Sequence, residues 1–128
     1  MINNTGWLYM KREKYDELIL KLTLATMSRK ITWEQTCSKD GFQVNIGKNR
    51  VSILCCDSMK VMSLVENKGW EIQIAELNII NSKGESIECY RRKMGEEGFE
   101  QLKELFVTVR RNINNVDEIL DELLKELE

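Results

Sequence analysis

Residues 31–56 read ITWEQTCSKDGFQVNIGKNRVSILCC, three alternating apolar runs separated by two short polar turns. Ile31, Trp33, Gln35 and Cys37 alternate with Thr32, Glu34 and Thr36, the period of two that marks a half-buried strand. Ser38-Lys39-Asp40-Gly41 follows, and Asp-Gly supplies the positive φ that a tight hairpin requires. Phe42, Val44 and Ile46 alternate with Gln43 and Asn45 on the way back, Gly47-Lys48-Asn49 turns again, and Arg50 to Cys56 makes a third strand. Turns this short leave no room for a crossover, so the strands pair antiparallel in chain order.

Downstream, residues 57–69 lack a clean period and predict a longer connection with room for one helical turn. Trp70, Ile72 and Ile74 start a fourth strand, but the apolar phase then moves to Leu77 and Ile79, which predicts a β-bulge near Ala75-Glu76. Asn81-Ser82-Lys83-Gly84 turns into a fifth strand. Helical spacing then takes over at Phe99, Leu102, Leu105, Phe106, Val109 and Ile113, opposite Glu100, Lys103, Glu104 and Arg110. Asn115 followed by Glu118 resembles a capping box, and Val116, Ile119, Leu120, Leu123, Leu124 and Leu127 give a last helix its leucine-rich stripe.

Upstream, Tyr15, Leu18, Ile19, Leu22 and Ala25 trace an amphipathic helix from Lys11 to Arg29. Leu20, Leu24 and Met27 form a second stripe on it, either part of a broad core face or a docking surface. Trp7 precedes this helix and must dock on the domain or on a partner. The expectation is a single α+β domain over 1–128: an N-terminal helix at 11–29, a five-stranded antiparallel meander at 30–37, 42–46, 50–56, 70–80 and 85–91, and helices at 97–112 and 116–127 on one sheet face.

Charge and composition exclude more than they assign. The 19 basic and 21 acidic residues nearly cancel, unlike the basic excess of general polyanion binders. Their placement is uneven: residues 114–128 hold six carboxylates and one lysine, so an acidic terminal helix stands beside a mildly basic body. MINNTGWLYM does not resemble a signal peptide, and no apolar run approaches the ~20 residues that cross a bilayer. A soluble, cytoplasmic protein with reduced cysteines is the expectation.

The absence of histidine removes imidazole-dependent mechanisms, from the Ser-His-Asp triad to the mixed Cys/His zinc site. Cys37, Cys55, Cys56 and Cys89 lack the paired spacing of zinc knuckles and of Cys-x-x-Cys redox motifs, so four buried, reduced thiols are the simplest reading. Alternation splits Cys55, with Val51 and Ile53 on the core face, from Cys56, with Leu54 on the wetter face. Gly95-Glu96-Glu97-Gly98 puts carboxylates where a phosphate would sit; they suit the positive end of the next helix instead. Trp33 and Trp70 lie on the apolar phase of their strands as core anchors. No catalytic, metal or cofactor-binding residue emerges.

Lys30 with Trp33, the Asn81-Gly84-Glu85 turn, and the series Leu102, Leu105, Phe106, Arg110, Arg111, Val116, Asp117, Leu120 together resemble a group of small uncharacterised bacterial and phage proteins. The resemblance covers residues 18–127 and implies an accessory, immunity or inhibitor role in bacterial or phage conflict. Two functional readings follow, with a cysteine-dependent enzyme a distant third. The first is a non-enzymatic protein–protein interaction module, possessing a protein partner or forming a homo-oligomer, with candidate contacts at Trp7, Leu20, Leu24, Met27, Leu54 and Cys56 and in the acidic last helix. The alternative is a nucleic-acid-associated protein using Arg91, Arg92, Lys93, Arg110 and Arg111.

Overall fold

The meander expected from residues 31–56 is present and extends through a sheet of five antiparallel strands in the order β1-β2-β3-β4-β5. The computed structural model describes the backbone of residues 4–37, 41–63 and 68–128, and the side chains of residues 12–37, 41–55 and 73–128. In chain order the elements are α1 (Asn4–Met27), β1 (Glu34–Gln35), β2 (Gly41–Ile46), β3 (Asn49–Ser63), β4 (Lys68–Ile80), β5 (Ser86–Lys93), α2 (Phe99–Ile113) and α3 (Val116–Glu126). The fold is α+β. Residues 38–40 of the first turn lie outside the described residues, and Gly41 opens β2 rather than closing that turn.

Sheet and helices meet at one apolar layer. Phe42 and Val44 of β2, Val51, Ile53 and Cys55 of β3, and Ala75 and Leu77 of β4 are buried against Leu102, Leu105, Phe106 and Val109 of α2. The rings of Phe42 and Phe106 meet at 5.5 Å, a tilted contact across the layer. α2 lies on β3, β4 and β5, and α1 packs along α2, contributing Tyr15, Ile19 and Leu22 to the core. Trp33 is the anchor the sequence suggests: it is buried, and its indole Nε1–H donates to Thr26 Oγ1 at 2.9 Å.

That anchoring shortens the first strand. Instead of a strand over 30–37, only Glu34 and Gln35 pair with β2, because Ile31 and Trp33 pack into the core beside α1 rather than adding to the sheet edge. The first helix begins at Asn4 instead of residue 11, so Trp7 lies within α1 and not ahead of it. A single glycine, Gly6, costs a helix interior about 1 kcal/mol, a penalty that extension of an already nucleated helix can absorb. The side chain of Trp7 lies outside the described residues.

At its other end α1 closes in a Schellman-type arrangement. Lys30 N–H donates to Ala25 O at 2.9 Å and Arg29 N–H to Thr26 O at 3.1 Å, with Arg29 itself left-handed at φ 59°.

The largest departure concerns residues 57–69. In place of a loop with a helical turn, β3 runs on to Ser63 and β4 starts at Lys68, pairing Met59 with Ile72 through Ser63 with Lys68. The expected bulge at Ala75-Glu76 is also absent: Cys55 faces Ala75 and Leu54 faces Glu76 in regular register. The extra residue sits in β3, between Cys56 and Met59, and a second irregularity opposes Ile79 and Ile80 on β5. The apolar phase of β4 changes for a different reason. Ile74 and Ala75 are neighbours pointing to opposite faces, and both are buried, so no side chain has to be re-aimed.

The capping box is not formed either. Asn115 precedes α3 in a left-handed conformation, φ 51°, and makes no side-chain cap hydrogen bond. Asn tolerates that region better than most residues, and here it redirects the chain from α2 into α3.

Candidate interaction surface

α3 is built to be amphipathic, yet it buries none of its residues. Ile119, Leu120, Leu123 and Leu124 are 45–64% exposed, and Leu127, just past the helix, is 83% exposed. Two exposed ion pairs join its first turn to the body, Arg111 to Asp117 at 2.8 Å and, more loosely, Arg29 to Glu118 at 3.9 Å. Beyond that turn the leucines face solvent.

The second stripe of α1 is the other large apolar exposure. Leu20, Leu24 and Met27 are 58%, 54% and 66% exposed, so they are not the core face; that face is Tyr15, Ile19 and Leu22. Where the C-terminal end of α1 meets the start of α3, a cleft of about 320 Å³ is lined by Met27, Arg29, Arg111, Val116 and Asp117 among others. Asn112 braces the same corner, donating from Nδ2 to Thr26 O at 3.3 Å. Among the described residues the remaining exposed large apolar side chains, Ile46, Ile87 and Met94, belong to neither helix.

Leu54 is half-buried on the sheet face away from the helices, opposite Glu76 and Gly41, and the side chain of Cys56 lies outside the described residues. This outer face carries a polar network. Arg91 Nε donates to Glu76 Oε1 at 2.7 Å, its NH2 group lies 2.6 Å from the same oxygen, and Asn78 Nδ2 donates to Glu76 Oε2 at 3.3 Å. Burial alone would raise the Glu76 carboxyl, but the hydrogen bonds from Arg91 and Asn78 and the Arg91 charge outweigh it and hold the carboxyl below its ordinary range.

Cys89 belongs to this network. Burial, then the charge and hydrogen bond of Glu76, push its thiol up, the direction opposite to nucleophile activation. Four buried thiols are not what the fold provides, because Cys37 and Cys89 are exposed while Cys55 is buried. Alternation along β5 sends Cys89 outward while Tyr90 turns toward α1, a consequence of the pairing of Tyr90 with core residue Leu77.

The same alternation divides the first basic cluster. Arg91 faces the outer side with Glu76, whereas Arg92 turns toward the helices, where its Nε donates to Glu97 O at 2.8 Å and its guanidinium lies 5.8 Å from the Tyr90 ring centroid. Glu96 accepts the Lys93 backbone N–H at 2.6 Å, and Glu97 pairs with Arg12 at 3.0 Å, so these glutamates stitch loop to strand and helix. Arg110 and Arg111 lie near the far end of α2, whose 15 residues span about 22 Å. Arg110 stacks over Phe106 at 5.5 Å. Arg91, Arg92 and Lys93 end β5 ahead of α2 while Arg110 and Arg111 lie near the far end of that helix, so the five cations do not converge on one surface.

Between α1 and β5, Tyr15 and Tyr90 stack with centroids 4.4 Å apart and planes 6° from parallel. Burial first, then the hydrogen bond and charge of Glu88, push the Tyr15 hydroxyl well above the usual phenol range, so it remains a donor.

No protein-family model matches the chain, and no curated protein or solved structure matches it. Among the described residues no helix is long and apolar enough to cross a membrane.

Proposed function

We propose that this chain is a non-enzymatic protein–protein interaction module whose contact surface is the apolar stripe of α3, with Leu20, Leu24 and Met27 of α1 beside it. One observation carries the reading: an eleven-residue amphipathic helix with no buried residue. An apolar stripe of this length left in water is costly at about 25 cal/mol per Å², and contiguous apolar exposure is a usual mark of an interaction site. Helix-in-groove recognition uses the spacing found at Ile119, Leu120, Leu123 and Leu127. An accessory, immunity or inhibitor role, the setting implied by the resemblance to small bacterial and phage proteins, is compatible with a domain that acts by docking.

The test is site-specific photo-crosslinking in a lysate of the source cells, with the crosslinker at Leu124 or, as control, at the exposed turn residue Ser82. Protein adducts formed from position 124 and not from position 82, whether to a second copy or to another chain, are the expected result. Equal or absent adducts from both positions would remove the reading.

A further inference from the structure

The exposed stripe of α3 matches an exposed stripe elsewhere in the same chain. Resting on the interaction reading above, we propose that the occupant of each α3 is a second copy of this protein, with α3 of one protomer lying on Leu20, Leu24 and Met27 of the other, reciprocally about a two-fold axis.

Charge selects this arrangement over the simplest alternative, α3 against α3. Residues 114–128 carry a net charge of −5, leaving +3 on the rest of a chain whose total is −2. Packing two α3 helices together would set two acidic rows side by side. Near the α1 stripe, Lys21, Arg29 and Arg111 are paired within the chain, to Glu17, Glu118 and Asp117, which leaves Lys30 at the end of the stripe and Arg110 near the end of α2 to meet the carboxylates Asp121, Glu122 and Glu126 of a partner's α3. Glu104 is the acidic residue of α2 that lines the adjacent cleft.

Dimensions agree as well. Leu20 to Met27 covers about 10 Å of helix, and the eleven residues of α3 extend about 16 Å. Each chain holds one donor stripe and one acceptor stripe, and neither covers the other within the chain, since all eight apolar side chains are at least 45% exposed. A two-fold exchange uses both stripes twice, which is how an isologous dimer accumulates the roughly 1,000 Å² that a specific interface needs.

Size-exclusion chromatography with light scattering on the full chain tests the proposal, with wild type compared with Leu24→Glu and with Leu123→Glu/Leu124→Glu. All three positions are exposed, and circular dichroism verifies that the variants fold. Wild type is expected at twice the 15.0 kDa chain mass. Each variant should weaken the dimer about tenfold or more by placing an unpaired carboxylate in an apolar contact, and high salt should weaken the wild-type dimer.

A wild-type monomer overturns the proposal, as does a Leu24→Glu protein that stays fully dimeric or a dimer strengthened by salt, the signature of α3 on α3. A monomer that still crosslinks another protein from position 124 would overturn only the self-association, leaving the interaction reading in place.

Discussion

The Tyr90 hydroxyl rests against Gly98, so closely that a Cβ on that glycine would lie 2.5 Å from the phenol oxygen. Gly98 is also left-handed, φ 92°, at the start of α2, and the Tyr90 oxygen is buried with no hydrogen-bond partner among the described residues. Gly98→Ala therefore meets two penalties, about 1–2 kcal/mol for the backbone and a further steric term. Adding Tyr90→Phe removes the oxygen and leaves the next ring atom at 3.6 Å, an ordinary contact. Urea unfolding should show the double variant recovering part of the loss, with Tyr90→Phe alone close to neutral. Strict additivity would mean that the clash is relieved elsewhere.

Thr26 links two buried groups, accepting from Trp33 Nε1 and donating to Leu22 O at 2.7 Å. Thr26→Val keeps the volume and strands the indole N–H. A loss of about 1–3 kcal/mol is expected in chemical denaturation, the cost of an unsatisfied buried donor. Thr26→Ser, which keeps the hydroxyl, should lose less.

Arg29 occupies the left-handed position that glycine normally takes after a helix. Its ion pair with Glu118 is long and exposed on both sides, so losing it costs little. Arg29→Gly should raise stability by about 0.5–1 kcal/mol in thermal or urea unfolding. A destabilised variant would show that the arginine side chain holds α3 in place.

The lowered Glu76 carboxyl gives a pH dependence of definite sign. Above its ordinary value of 4.5 the group is ionised whether folded or unfolded, and its stabilising contribution is fully present. As the pH falls below that value the unfolded chain takes up the proton first, and the contribution is lost through the lower folded-state value. Stability measured across this acid range should therefore fall more steeply for wild type than for Glu76→Gln. Parallel curves would rule out the Glu76 network as the source.

The meander was legible because alternation and turn residues report on neighbours in sequence. Phe42, Val44, Val51 and Ile53 could be placed on one face before any tertiary contact was known. What escaped was set by distant partners. Trp33 leaves the sheet edge because Thr26 on α1 receives its N–H, and the continuation of β3 beyond Cys56, which pairs with the start of β4, runs through residues with no periodic pattern. The exposed stripe of α1 was marked by its spacing, at Leu20, Leu24 and Met27. For α3 the same kind of spacing describes equally a core helix and an exposed one, and only the missing cover distinguishes them. Arg91 and Arg92 looked like one basic patch because adjacency in sequence hides the alternation that separates them.

The bond from Asn112 to Thr26 closes a chain loop of 86 residues, and α1 finds its main packing partner only in α2. Ile31 and Trp33 cover α1 from nearby in sequence, but its contact with α2 joins segments separated by the entire sheet. Closure of so long a loop comes before its contacts can repay the lost entropy. The contact between these two helices is therefore one that no short-range pairing can replace: α1 is held by α2 across the whole sheet in sequence.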